Sequence, residues 1–229
     1  MRAASYAPCC IVLVLFLVLH SLRASGESTI DLSPLKACLE AQGELKSVSA
    51  DFTQTRALKT LKSPVAIKGH FWFSTPDRFR WQLGDPPKTI IIGGRDGSLV
   101  IHPLQKHAEK TPASGAASAG TRKIFEMMGM SGKRTVDEFQ KHMKVMSLRT
   151  EGTRCHLEML PKDPSTTRGL SSINLDFDSA TGEWLGFEIV TREGSSIRTE
   201  LSNVRTNSAL DGGVFEYDLT GFTVDHEKK

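Results

Sequence analysis

The sequence predicts a mainly β chain, an antiparallel sheet that curls into a sandwich or barrel and carries a few helical segments. Three observations lead there. Apolar and polar residues alternate along most of the chain: Val48, Ala50 and Phe52, then Phe79, Trp81 and Leu83, then Cys155, Leu157 and Met159. Ile173, Leu175 and Phe177 continue the pattern, as do Leu185, Phe187 and Ile189, and Phe215, Tyr217 and Leu219. A period of two gives each run one apolar and one polar face, the mark of a half-buried strand. Turn signals (GDPP, GGRDG, DSATG, REGS and LDGG) separate these runs at short intervals, as in an all-antiparallel sheet. Helical spacing of apolar residues is confined to a segment near the start and an insert in the middle.

The first element in chain order is a targeting segment. "MRAASYAPCCIVLVLFLVLHSLRASGES" begins with Arg2, runs apolar from Ile11 to Leu19 and ends in small residues at Ala24 and Gly26. This is the order of a cleavable secretory signal, assigned to residues 1–26. The apolar run is about half of the ~20 residues a membrane-spanning helix needs. Cys9 and Cys10 precede that run, whereas a lipoprotein signal places its cysteine after it. Cleavage removes Arg2 and Arg23 from the 29 basic residues and none of the 26 acidic ones. A net charge near +1 offers no basic face for nucleic acid.

Ser33 and Pro34, followed by Leu35, Cys38, Leu39 and Gln42, predict a capped helix that Gly43 ends. The strands begin at Val48. Residues 69–83, GHFWFSTPDRFRWQL, concentrate aromatic residues in a chain that is only 7% aromatic. Phe71, Phe73, Thr75, Phe79 and Trp81 share parity, so they line one sheet face around a turn at Pro76, while Arg78 and Arg80 point the other way. GGRDG at 93–97 reads as a hairpin turn. The small-residue loop TPASGAASAG, residues 111–120, leads into the helical insert, where Thr135 and Glu138 form a capping box and Val136, Phe139 and Met143 share a helical face. The methionines of this region, Met127, Met128, Met130, Met143 and Met146, read either as core or as an adaptable ligand surface.

Catalytic patterns are absent. No G-x-S-x-G, H-E-x-x-H, G-x-x-x-x-G-K or EF-hand spacing occurs, and no cofactor or metal is expected. His102 and His107 amount to at most half a metal site, and Asp176 and Asp178 read as a solvated strand face. Cys38 and Cys155 remain after cleavage; in an exported protein they can form one disulfide or stand as two buried thiols.

Taken in order, SVSADFTQTR, GHFWFSTPDRFRWQL, TIIIGGRDGSLVIHP and the long run from LEMLPKD to GFTVD resemble the LolA-type periplasmic carriers of outer-membrane lipoproteins, over about Leu32 to Val224. The resemblance implies an N-terminal helix and an open, strongly curved antiparallel β-barrel, a half-barrel, with a helical lid over an apolar cavity, all in one domain over residues 27–229. It also implies a monomeric, non-enzymatic periplasmic chaperone. Its cargo would be acylated lipoproteins, taken from an inner-membrane ABC transporter and passed to an outer-membrane acceptor. A relative carrying or sensing another hydrophobic cargo, or an envelope enzyme acting on acyl substrates, is the alternative. Alternation and position in the family-like blocks together nominate Phe71, Phe73, Phe79, Trp81, Ile92, Leu99 and Ile101 as acyl contacts, with Ile124, Met127 and Met128 on the lid. Carriers of this type commonly bear an arginine before the proline of the second aromatic strand as a lid latch. This chain has Thr75 there, with one hydroxyl where guanidinium offers five donors.

Overall fold

A computed structural model describes residues 30–113 and 135–226. The signal segment, most of the TPASGAASAG loop, and Ile124, Met127 and Met128 lie outside the described residues. In chain order the elements are α1 (Ser33–Gln42), β1 (Ser47–Ala57), β2 (Val65–Ser74), β3 (Arg78–Leu83), β4 (Thr89–Gly94), β5 (Gly97–His102) and β6 (His107–Pro112). There follow α2 (Val136–His142), β7 (Met143–Glu151), β8 (Arg154–Pro161), α3 (Pro164–Thr167), β9 (Leu170–Asp178), β10 (Trp184–Thr191), β11 (Ser196–Thr206) and β12 (Thr223–His226).

The strands join in one sheet of order β12-β6-β5-β4-β3-β2-β1-β11-β10-β9-β8-β7. Every pairing is antiparallel except that of β12 with β6. The two edge strands do not pair with each other, so the sheet is open. It is also strongly curled. Trp81 on β3 and Phe187 on β10 are four strand steps apart, roughly 19 Å in a flat sheet, yet their ring centroids are 6.3 Å apart. This is the half-barrel expected.

α1 seats on one end of the curl. Pro34 opens the helix, and Gly43 N–H closes it by donating to Leu39 O and Glu40 O. The cap differs from the one expected: Ser33 lies inside the helix and its N–H donates to Asp31 Oδ1 at 2.9 Å. Leu35, Cys38, Leu39 and Gln42 are buried. The DSATG turn receives them, because Gly182 (φ +72°) offers its carbonyl to Cys38 Sγ and to Gln42 Nε2. A Cβ at Gly182 would stand 2.4 Å from the Ala41 methyl, so only glycine permits the approach.

α2 has the predicted capping box in full, with Glu138 N–H donating to Thr135 Oγ1 and Thr135 N–H to Glu138 Oε2. It is shorter than the sequence suggests. Met143 already has extended φ and ψ and opens β7 opposite Pro161. Phe139 and Met143 are still both buried in the main core.

Two other expected runs are corrected. In β10 a register shift between Trp184 and Gly186 gives the core position at this end of the strand to Trp184, 4% exposed, and leaves Leu185 half-buried. Phe215, Tyr217 and Leu219 form no strand: Gly212–Phe215 is a 3-10 turn capped by Asp211, and an irregular segment carries on to β12.

Among the described residues, two apolar clusters hold the fold. The larger fills the concave side, from Leu35 and Leu39 through Phe52, Phe71, Phe73 and Phe79 to Leu157, Leu175 and Phe177. The smaller, Ile90, Ile101 and Ala108, lies on the opposite face of β4 to β6 under Tyr217, Leu219, Phe222 and Val224.

Candidate functional site

The β2–β3 hairpin sets the concave face. Phe71 pairs with Trp81 and Phe73 with Phe79, so directly opposed residues project to the same side. Two strand glycines make room for rings. A Cβ at Gly69 would meet the Phe52 ring at 2.3 Å, and one at Gly93 would meet the Phe79 ring at 2.2 Å. Through the first gap Phe52 of β1 reaches over β2 and stacks on Trp81, centroids 4.1 Å apart and planes 25° apart. Trp81 also touches Phe71 at 5.5 Å and Phe187 at 6.3 Å. These contacts form an aromatic bridge across the hollow.

Burial divides the nominated residues. Phe71, Phe73 and Phe79 are 1%, 2% and 6% exposed, so their bodies serve as packing beneath the surface. Trp81 is only partly buried, as are Ile67, Ile91 and Ile189, which pack against the same cluster. With Ile197, half-buried and paired with Ile189, these four supply accessible apolar surface on the hairpin-tip side of the bridge. A short polar track crosses it: Gln54 Nε2 donates to Thr199 Oγ1 at 3.3 Å, and Arg56 Nε donates to Gln54 Oε1 at 3.0 Å. Gln54 and Arg56 share the face of Phe52 by parity, and sequence reasoning passed over both. On the helix side, a cavity of about 530 Å³ separates α1 from α2, with Leu39 and Val136 as its apolar walls and Lys36, Glu40, Glu44 and Asp137 around it.

Ile92, Leu99 and Ile101 are placed elsewhere. Ile92 pairs with Arg80 and with Leu99, and Ile101 with Ile90 and Ala108. All lie on the face opposite Trp81, so a ligand held against Trp81 does not reach them. Ile101 is fully buried in the smaller cluster. Ile92 and Leu99 line an outer groove of about 720 Å³ with Phe215, Leu219 and Val224. This division between faces has a physical source. β4 and β5 read Ile90-Ile91-Ile92 and Leu99-Val100-Ile101, continuous apolar runs that supply both faces at once.

Arg78 and Arg80 do point away from Trp81, as expected, and they hold the C-terminal segment. Arg80 Nη1 donates to Val214 O at 3.0 Å and Glu216 O at 3.4 Å, and the Arg78 guanidinium sits 4.6 Å over the Phe215 ring. Thr75 is exposed, and both its N–H and its hydroxyl donate to Lys46 O, at 2.9 and 3.2 Å. Its one side-chain donor therefore serves the α1–β1 connection.

The cysteines are free and fully buried thiols, not a disulfide. Burial first, and the neighbouring Cys155 second, push the Cys38 thiol up to about 12, so it stays protonated. Cys155 Sγ meets Thr150 Oγ1 at 3.4 Å. His107 pairs with Asp225 at 3.0 Å, and no metal-binding group of three or more side chains occurs among the described residues.

Asp176 is not the solvated acid expected. Its side chain is 10% exposed and meets His156 Nδ1 at 2.7 Å, Arg154 Nη2 at 3.0 Å and Arg198 Nη2 at 3.2 Å. Desolvation by burial raises its pKa, but hydrogen bonds from Arg154 and His156 outweigh this and hold the carboxyl below the usual range. Asp178 instead organises its turn, accepting from Thr153, Ala180 and Thr181.

An open sheet curled around an apolar hollow, crossed by aromatic rings and flanked by helices, is a β half-barrel architecture. The chain belongs to the LolA family: residues 43–218 match the family described as outer membrane lipoprotein carrier protein LolA. Similar proteins named outer-membrane lipoprotein carrier protein include one from Methylococcus capsulatus, 23% identical over 85% of this chain and 86% of its own length. Another, from Bordetella avium, is 24% identical over 85% of this chain and 91% of its own. A crystal structure of an uncharacterized conserved protein from Thermus thermophilus shares the fold, with TM-score 0.52 and 8% identity over 82% of this chain and 95% of the other.

Proposed function

We propose that this protein is a periplasmic carrier that holds the acyl chains of lipoproteins against the concave face around Trp81 and moves them from the inner to the outer membrane. The observation that carries the proposal is the partly buried Trp81, bridged to Phe52 and Phe187 inside a sheet that is not closed. Family membership supplies the cargo class. Phe71, Phe73 and Phe79 back the surface, and acyl contact is also proposed for Ile124, Met127 and Met128, which lie outside the described residues. The signal at residues 1–26 delivers the chain, and residues 27–229 act as one carrier domain.

Energetics shape the mechanism. An acyl chain of roughly 16 carbons, at about 0.8 kcal/mol per buried CH₂, represents on the order of 12 kcal/mol. A membrane offers nearly as much, so a carrier that bound more tightly would never release. Loading draws on a partner, an inner-membrane ABC transporter, since the chain has no nucleotide motif. Release needs an outer-membrane acceptor with a better apolar site.

The test is mass spectrometry of protein purified from a native periplasm, with Trp81→Glu beside it. Intact acylated lipoprotein on the wild type and none on the folded variant is the expected result. Free lipid alone points to a relative with other cargo, and turnover products to an enzyme. Unchanged cargo on the variant removes the site.

A further inference from the structure

The two ends of the sheet differ in chemistry. The antiparallel order puts the tips of β1–β2 (58–64), β3–β4 (84–88), β5–β6 (103–106), β8–β9 (162–169) and β10–β11 (192–195) at one end. α1 and the turns at 75–77, 95–96 and 179–183 lie at the other. Among the described residues, six large hydrophobic side chains are exposed, and four of them, Leu58, Leu61, Val65 and Leu104, belong to the first end. Single exposed leucines are ordinary. Here they are collected on two tips three strand steps apart, roughly 14 Å along the sheet, and Leu104 is 71% exposed.

Basic residues accompany them. The β1–β2 tip reads Leu58-Lys59-Thr60-Leu61-Lys62, and Leu104 is two residues from Lys106. The five tips hold seven basic side chains, Lys59, Lys62, Lys88, Lys106, Lys162, Arg168 and Arg192, against Asp85, Asp163 and Glu193. The opposite turns hold Asp77, Asp96 and Glu183 against Arg95. Among the described residues Lys59, Lys62 and Lys106 form no ion pair. The tips are also tied in place. Lys59 N–H donates to Ser195 Oγ at 3.2 Å, which links the β1–β2 and β10–β11 tips, and Thr223 N–H donates to Lys106 O at 2.9 Å.

We infer that this end of the sheet docks on an anionic lipid surface. Leucines on separate protruding tips suit the acyl boundary, and the intervening lysines suit the phosphate layer, where each basic residue is attracted and salt weakens the attraction. The acidic turns at the far end orient the molecule tip-down. Arg56, Ile67 and Ile189 of the concave face lie toward the docking end, so docking turns the accessible part of the hollow to the lipid; this last point rests on the proposed carrier function.

The test is flotation of the purified processed protein with phosphatidylcholine vesicles, with and without phosphatidylglycerol, over a salt series. Binding to the anionic vesicles alone, lost at high salt, is expected. Leu61→Asp with Leu104→Asp, and separately Lys59→Glu with Lys62→Glu, should each weaken it about tenfold or more. Both pairs are exposed, so the melting temperature and the uptake of a fluorescent fatty acid should hold. Met146→Asp, exposed on the edge strand β7, should float like the wild type. No flotation with anionic vesicles, or equal flotation of the leucine variant, overturns docking. Capture only by vesicles carrying envelope proteins assigns the surface to a protein partner and also overturns it. Lost fatty-acid uptake with retained flotation counts against the carrier site and leaves docking standing.

Discussion

The inner face of β3 and β4 and the outer face of β4 and β5 are both apolar, but they are completed in different ways. Inside, Trp81 and Ile91 stay half-buried beside the bridge to Phe52 and Phe187. Outside, Ile90 and Ile101 are shut away at 1% and 0% exposure by Tyr217, Leu219, Phe222 and Val224, which return from the end of the chain. The return is anchored by β12 on β6 and by Arg80 on the Val214 and Glu216 carbonyls. An apolar face is a core when the chain itself covers it and a binding surface when it does not. The outer face of the other arm takes a third course, with Asp176 gathering Arg154, His156 and Arg198 where β4 and β5 carry isoleucine and leucine.

Substitutions on the two faces should therefore separate stability from binding. The largest effect is expected from Ile101→Asp, which places a carboxylate with no partner in the sealed cluster. A loss of about 3–5 kcal/mol, read by urea unfolding, should accompany release of the C-terminal segment to protease. The inner counterpart, Trp81→Glu, should cost less, about 1–2 kcal/mol for the lost stack on Phe52, because its carboxylate can turn to the open hollow. Equal destabilisation by the two would erase the distinction drawn between the faces. Phe215→Ala comes next, at about 3 kcal/mol, since the ring is 8% exposed and carries the Arg78 guanidinium. It should leave lipid uptake intact.

Asp176 adds a pH test on the third surface. Its folded pKa is depressed, so its contribution is complete above the unfolded value of about 3.9 and is lost as pH falls through the lower folded value. Wild-type stability should drop below about pH 4. Asp176→Asn should be weaker at neutral pH by about 2 kcal/mol and lose less on acidification. Parallel acid profiles for the two would remove Asp176 from the account. The smallest effect is expected at the rim. Thr75→Arg should slow fatty-acid uptake a few-fold, roughly the value of one or two added hydrogen bonds to the lid. Unchanged uptake would mean that no latch acts from this position.

Much of this architecture was legible in the residues because strand geometry is strict. A period of two puts Val48 and Phe52 on one face of their strand and, with one register kept across the turn at Pro76, Phe71, Phe79 and Trp81 on one face of the next pair, with Arg78 and Arg80 opposite. Local chemistry was equally decisive where a motif closes on itself, in the Thr135–Glu138 capping box and the GGRDG and DSATG turns. The tertiary structure alone decided which apolar face is open. Ile90-Ile91-Ile92 declares two apolar faces without ordering them, and the cover for one arrives from Tyr217 and Leu219, more than a hundred residues away in sequence. The alternation of Phe215, Tyr217 and Leu219 imitates a strand, because a segment lying along a sheet face also buries every second side chain. Asp176 looked solvated for a related reason. Parity states which side of a strand a carboxylate leaves, whereas its burial depends on Arg154 and Arg198, which curvature and strand order bring to it from β8 and β11.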